Sequence, residues 1–547
     1  MSGALLDSLR AIDVTKSVGE LDTQLEAESL SQWLASGVKF ACSNRAYQNR
    51  YYQAVRELLM CVKTNGSPEP ILQEGGNYPG CWLESTGTIN AELLSRFLPA
   101  VSAATYEAFA DTQRADGLFP YKIISDGAFF FQIQLVSPLA RSVWNHYALN
   151  GRDRTFLAKM YAAMSQYDDW LAKNRDTQGT GAVEAFCCHD TGHDLSARFW
   201  HIPDKPYKND PARYDPNNPL LPFIAPDLTA NVACQRIYLA RIAEELGENG
   251  KPWMQKAEAS IEALYDQCHD PEDGFFYDRD NTGQMVKVQG DVLLRVLACE
   301  VGDDAFFAEA LDRYLLNTSK FFARFPLTSI ALDDPRFDQN FAHNSWCGPT
   351  NLLTLIRTPH AFEAHHRHVE LTWILYPTLY ALFHAERFAQ TISPFTGAAG
   401  FTEKYSPSIL CLLDFIERLS GIMPRPDGTL WFTGLTPIEV EQMQADHDTG
   451  YSRVVDGAAF EWMNTSDTST AYRDGELLFS LPRGVRVVTD RTGAVLSLIG
   501  MQAEPVSGTL QTSSGAYAFT IGANQQLNLE KGEWKLAKDI GLVTPTY

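Results

Sequence analysis

The chain has 547 residues, 45% of them hydrophobic and 20% charged, which suits a large globular protein with more chain than one small core needs. Its 45 basic residues against 67 acidic ones leave a net charge of −22. That balance argues against nucleic acid or an anionic membrane as partner and acts mainly on solubility. There is no run of about 18 uncharged apolar residues, so no membrane span is expected. Asp7, Arg10 and Asp13 interrupt the start, so no signal peptide is expected either. The ten cysteines are scattered, with only Cys187 and Cys188 adjacent, and read as reduced thiols of a cytoplasmic protein.

After an N-terminal extension expected over 1–24, helical periodicity runs from about 25 to 449. In "RDRTFLAKMYAAMSQYDDWLAKNRD", Leu157, Met160, Tyr161, Met164, Tyr167 and Leu171 recur at helical spacing and make one apolar face. "APDLTANVACQRIYLARIAEELG" opens on Pro226 and Asp227 and stops at Gly247, ordinary start and stop chemistry for a helix. Further helices are predicted over 291–301, 305–316, 369–389 and 408–421, within a total of ten or more. Loops rich in Gly, Pro, Asn and aromatic residues separate them, at 75–87, 116–127, 188–217, 271–290, 338–349 and 391–407. Paired helices joined by alternately short and long loops suggest a toroid of helical hairpins, and no short repeat marks a solenoid. From about 450 the texture changes to short strands joined by Gly turns, as in "GELLFSLPRGVRVVTDRTGAVLSLIG". A small β-sandwich-like module is therefore expected over 450–547, with the acidic run 441–450 leading into it.

The densest chemistry lies in "HDTGHDLSARFW", 189–200. His189 and His193, four apart, would suit zinc if helical, but Gly192 between them disfavours a helix. Hydrolysis of a glycosidic bond needs one protonated and one ionised carboxyl group, which long loops of a toroid can bring together. Asp190 or Asp194 in this stretch and Glu403 in "GFTEKYSP" offer such a pair. Sugar binding also wants flat aromatic faces, and Trp82, Tyr121, Phe199, Trp200, Trp346 and Tyr405 sit in or beside the long loops. The plainer alternatives are that Asp194 caps a helix through "LSARFW" and that Glu403 is a solvated loop carboxylate.

Six segments resemble, in order, motifs of the trehalase, processing α-glucosidase and mannosylglycerate hydrolase families of clan GH-G. They are "ADGLFPY" (115–121), "DTGHDLSARF" (190–199), "APDLTANV" (225–232), "DGFFYDRD" (273–280), "SWCGPT" (345–350) and "FTEKYSP" (401–407). The resemblance covers about residues 70–420. It implies a mainly α (α/α)6 barrel and an inverting, exo-acting α-glycosidase, with Asp194 as general acid and Glu403 as general base. The substrate implied is a small α-glucoside or α-mannoside. On the same footing, Trp82, Glu84, Tyr121, Asp190, Arg198, Trp346 and Tyr405 are expected to bind it. The sequence departs from the family pattern in three places. His193 stands where the motif has Trp before the acid, Trp82 and Glu84 replace a contiguous Trp-Asp pair, and the Gln-Pro-Pro-like element survives only around Ser137 and Pro138. No nucleotide, flavin or pyridoxal signature occurs, and no cofactor or metal is expected. Calcium stays open because some relatives bind it, although no D-x-D-x-D-G loop is present. The competing functions are a zinc-cysteine β-L-arabinofuranosidase, an epimerase, a lyase and an inactive carbohydrate-binding protein. Oligomeric state is not legible.

Overall fold

In the computed structural model, residues 2–438 and 447–547 are described; the part of the acidic run at 441–446 lies outside them. The helices come in two kinds. Some present one apolar stripe, as in Arg154–Asn174, where Leu157, Met160, Met164, Tyr167 and Leu171 are buried and Asp153 caps the first turn by accepting from Thr155 N and Phe156 N. Others are buried nearly all round. Every residue of Ser406–Ser420 is buried, as are the first ten of Pro226–Leu246, which ends at Gly247 in a left-handed conformation. A helix without a polar face needs protein on every side, so these two belong to an inner layer. Pro226–Leu246 packs against Leu139–Leu149, Arg154–Asn174 and Lys251–Cys268, while Ser406–Ser420 packs against Arg45–Met60 and His368–His384. The helix expected over 369–389 ends at His384, and that expected over 291–301 is the shorter Val292–Leu297.

Two large antiparallel sheets, beside five small ones of two to four strands, complete the fold among the described residues. One runs Lys39–Cys42, Thr449–Val455, Ala458–Asn464, Thr468–Arg473, Glu476–Pro482, Val506–Thr512 and Gly515–Ile521. The other runs Ile422–Pro424, Leu430–Thr433, Val485–Thr489, Val495–Gly500, Gln526–Glu530 and Glu533–Lys538. They meet through aromatic side chains, Phe432 of the second sheet standing edge-on to Phe460, Trp462 and Phe479 of the first. The strands do not divide as the sequence suggested. Lys39–Cys42 supplies an edge by pairing with Thr449–Val455, and two strands of the other sheet precede residue 434. Nor is the N-terminus a separate extension: in the helix Ser2–Ala11, Leu6 and Leu9 bury against Ala41 and Met463. Strands this short carry too little alternation to stand out among helices.

A buried ionic network joins the helical and strand regions. Glu417, on the inner helix, accepts from Arg96, from Arg453 of the first sheet and from the Tyr451 hydroxyl at 3.0 Å. Asp414, one turn earlier, takes Arg96 and both ends of the Arg418 fork. Removing one partner of such a buried set leaves uncompensated charge. Glu417→Gln is expected to cost about 3–5 kcal/mol in urea unfolding; an unchanged midpoint would show that this network does not hold the two regions together.

Candidate active site

The stretch 189–200 is not a helix. A short 3-10 turn, Cys188–Thr191, ends at Gly192 in the left-handed region, φ +67, and a second, Ala197–Phe199, is capped by Ser196 rather than by Asp194. A Cβ on Gly192 would also lie 2.6 Å from a carboxylate oxygen of Glu84, so the chain turns here only as glycine.

Two buried arginines pin this loop. Arg175, at the end of Arg154–Asn174, makes a forked pair with Asp190, which also accepts from the backbone N–H groups of Ile133, Phe186 and Cys187. Arg198 uses all five of its N–H donors: two on Asp278, two on Asp227 and one on His193 Nδ1 at 2.6 Å. Because Nδ1 accepts, the His193 proton is assigned to Nε2, which points 3.1 Å from Asp291. Burial and the neighbouring Arg295 push His193 down to about 4, so the ring is neutral.

Asp194 is left over from this bonding. It accepts no hydrogen bond among the described residues, and its nearest ionisable partner, His189 Nε2, is 3.6 Å away. The side chain is 40% exposed, yet Oδ1 is buried without a partner. Unpartnered, buried polar atoms occur on residues that interact with it, with Glu84 or with each other: Arg295 Nε and Nη2, Arg357 Nε and Nη2, Gln134 Oε1 and Trp346 Nε1. Arg295 and Arg357 each give one bond to a backbone carbonyl, of Thr191 and Val136, and both attract the Glu84 carboxyl. Arg295 also lies over the Trp346 ring, 4.9 Å from its centroid, and His193 packs on the same ring. Each buried orphan costs about 1–3 kcal/mol, so this cluster of polar groups, the chamber, is a region where a polar ligand or ordered water would find partners.

The carboxyl groups of this chamber all have raised pKa values. Burial raises Asp194, although His189 partly opposes it. Burial raises Glu84 further, helped by repulsion from Glu74 and Asp194. Glu74 is pushed up to about 7 by burial, against hydrogen bonds from the hydroxyls of Ser85 and Tyr405, the latter at 2.7 Å, with Asp194 adding repulsion. These carboxyls therefore hold their protons to higher pH than an exposed carboxyl does, which is the direction a general acid needs.

Glu403 lies on an exposed loop. Its neighbours Thr402 and Lys404 are both left-handed, φ +61 and +47, as are Gln134, Leu195 and Trp346. Such backbone strain, about 1–3 kcal/mol each, concentrates where geometry serves function. The loop is clamped on the 74–77 turn: Asn77 N donates to the Thr402 hydroxyl at 2.9 Å and Ser406 N to the Glu74 carbonyl at 2.8 Å.

Asp194, Glu84 and Trp346 come together, and Trp82 joins them through Tyr78, which meets it edge-on and is itself pushed up by burial and by Glu74, Asp194 and Glu84. Tyr121 lines the adjoining loop, sharing Lys122 with Trp82. Three expected sugar contacts need correction. Asp190 and Arg198 are saturated and fully buried, so they brace the loop, and Tyr405 is fully buried with its hydroxyl spent on Glu74. Glu74, Gln134, Asp291, Arg295 and Arg357 were missed, and His193 was weighed only as a zinc ligand and as a replacement for the motif's Trp; the arginines had a signal, a lone guanidinium inside an apolar run ("VLLRVL", "LLTLIR"). Among the described residues no group of three or more His, Cys, Asp or Glu is arranged to hold a metal ion, all ten thiols are free and buried, and no helix is long and apolar enough to cross a membrane.

A family model described as the mannosylglycerate hydrolase MGH1-like glycoside hydrolase domain matches residues 88–408, a span that includes Asp194 and Glu403. No curated protein matches the sequence. Among solved structures, the GH63 mannosylglycerate hydrolase of Thermus thermophilus in complex with Tris is 18% identical, with a TM-score of 0.56 over 66% of this chain and 98% of its own. The neutral trehalase of Saccharomyces cerevisiae is 13% identical, with a TM-score of 0.51 over 64% and 74%. A chain described as a sialidase is 14% identical, with a TM-score of 0.59 over 86% of this chain and 43% of its own. At these identities the likeness is one of fold.

The position of Glu74 gives a stability test. A carboxyl raised in the folded state contributes stability that is present below its unfolded value near 4.5 and lost as pH rises through about 7. Relative to wild type, Glu74→Gln should gain up to about 3 kcal/mol between pH 5 and 8. A difference that does not change with pH would mean Glu74 is ionised throughout.

Proposed function

The chain belongs to the mannosylglycerate hydrolase MGH1-like glycoside hydrolase family, and from that premise we propose that it is an inverting, exo-acting α-glycosidase built on an (α/α)6 barrel. Its substrate would be a small α-glucoside or α-mannoside. Asp194 gives its proton to the glycosidic oxygen as the C–O bond breaks. Glu403 takes a proton from a water that attacks the anomeric carbon from the opposite face. The product is the sugar of inverted anomeric configuration. One observation carries this reading: Asp194 is the carboxyl that the loop bonding leaves free, with its buried oxygen in a chamber of unpartnered polar groups. The chamber supplies donors from Arg295 and Arg357 and acceptors from Glu84 and Gln134, the mixture that sugar hydroxyls need. The exposed setting of Glu403 gives it access to water, and inversion requires the two carboxyls to stand about 6.5–9.5 Å apart. The scheme runs on the chain's own carboxyls and uses no cofactor. The buried free thiols support a reducing, cytoplasmic setting.

A second reading of the base is favoured by one feature, that the buried Glu74 carboxyl is close enough to Asp194 to be raised by its charge. Against it, both Glu74 oxygens are occupied by Ser85 and Tyr405, so a water would have to displace a hydroxyl.

The test is a screen of α-glucosides and α-mannosides with the first-formed anomer read by NMR. A β-anomer should appear first, and Asp194→Asn and Glu403→Gln should each lower kcat by about 10²–10⁴. A first-formed α-anomer, or full activity in Asp194→Asn, would overturn the mechanism. Full activity in Glu403→Gln with loss in Glu74→Gln would move the base to Glu74.

A further inference from the structure

Beside the candidate acid the surface is unexpectedly apolar. Leu195 is 59% exposed and Trp200 55%, and Trp200 Nε1 donates to the Leu195 carbonyl at 3.0 Å. Under them Ala197 and Cys347 share a small buried cluster, with Ala197 N donating to Cys347 Sγ at 3.2 Å and the thiol reaching the Leu195 carbonyl at 3.7 Å. Phe337 packs on that cluster and meets Phe395, itself 43% exposed, edge to face at 6.1 Å between centroids. Trp200 and Leu195 are thus linked to Phe337 and Phe395 through the Leu195 carbonyl, the Cys347 thiol and the buried cluster beneath them. The guanidiniums within the same stretches are committed elsewhere, Arg198 to Asp227 and Asp278, Arg336 to Asp334.

Leu195 has no structural reason to be leucine. Its φ of +63 is costly for a branched side chain, where glycine or asparagine would rest more easily, and an exposed leucine gains little from folding. Its position gives a reason. It follows Asp194, and a general acid stands against the leaving-group oxygen, so the side chain next to it borders the leaving group and not the sugar ring. We propose that Leu195, Trp200, Phe337 and Phe395 form the aglycone subsite, and that the substrate is the α-glycoside of an apolar alcohol, alkyl or aryl, in preference to one carrying a charged aglycone such as a hydroxy acid. The inference rests on Asp194 being the general acid.

The full chain is assayed on three α-glycosides of whichever sugar it cleaves: methyl, octyl below its micelle concentration, and the glyceric acid conjugate. Methanol and octanol are similar leaving groups, so their ratio reports binding. The expected kcat/KM for octyl exceeds methyl and the acid conjugate by at least about tenfold. In Leu195→Gly and Trp200→Ala the octyl-to-methyl ratio should fall to within about threefold, while Leu195→Gly, relieved of its backbone strain, melts no lower than wild type. Equal rates on all three substrates, preference for the acid conjugate, or a ratio that survives both substitutions overturns the subsite and leaves the glycosidase reading standing. If no glycoside is cleaved, the glycosidase reading fails and the subsite with it. If the substitutions change the particle mass in light scattering but not the ratio, the patch is a contact between two copies and the proposal is wrong.

Discussion

The five hydrogen bonds of Arg198 are the constraint on which the site depends. They tie the loop 189–200 to the first turn of the helix Pro226–Leu246 through Asp227, to the strand Asp278–Arg279 through Asp278, and to the ring of His193. Arg175 and Asp190 do the same at the other end of the loop. With both ends fixed in buried, fully satisfied pairs, the loop has little freedom to let Asp194 find a partner of its own. A carboxyl with one buried oxygen that accepts no hydrogen bond is costly, and the saturated pairs around it hold it in that position. The loop is thus held by bonding nearly everything except the proposed acid.

That same logic separates what was legible in the sequence from what was not. Long helices could be read, because burial on one stripe leaves a periodic trace, as in Arg154–Asn174. The small strands at Lys39–Cys42 and Ile422–Pro424 could not, because their role comes from partners far along the chain. The density of charge in "HDTGHDLSARFW" was visible, but not the division of labour within it. Asp190, Asp194 and Arg198 are equally polar in sequence, and only the partners Arg175, Asp227 and Asp278 decide which are spent. Glu74 was invisible for a related reason: next to two glycines it reads as turn, and its burial follows from Tyr405 and Ser85 arriving from other segments. Arg295 and Arg357 were readable in principle, since a lone arginine within an apolar helix must be buried and must answer to something.

Strain and unsatisfied bonding coincide at the loops. Leu195, Trp346, Thr402 and Lys404 hold left-handed backbones in the segments that carry Asp194, the Trp346 ring and Glu403. The helical layer and the ionic junction at Glu417 provide the rigid frame against which that strain is held. The outcome is a stiff scaffold with a chamber of groups lacking partners.

If that chamber exists to receive a sugar, its orphaned groups must find their bonds on the ligand. The direct measurement is a crystal structure of the Asp194→Asn variant soaked with an uncleaved α-glycoside. The result expected is a sugar ring whose hydroxyls meet Arg295, Arg357 and Glu84, with the glycosidic oxygen at the amide that replaces the Asp194 carboxyl and a water between Glu403 and the anomeric carbon. A sugar bound elsewhere, with the chamber filled by ordered water bonded to every orphan, would contradict it.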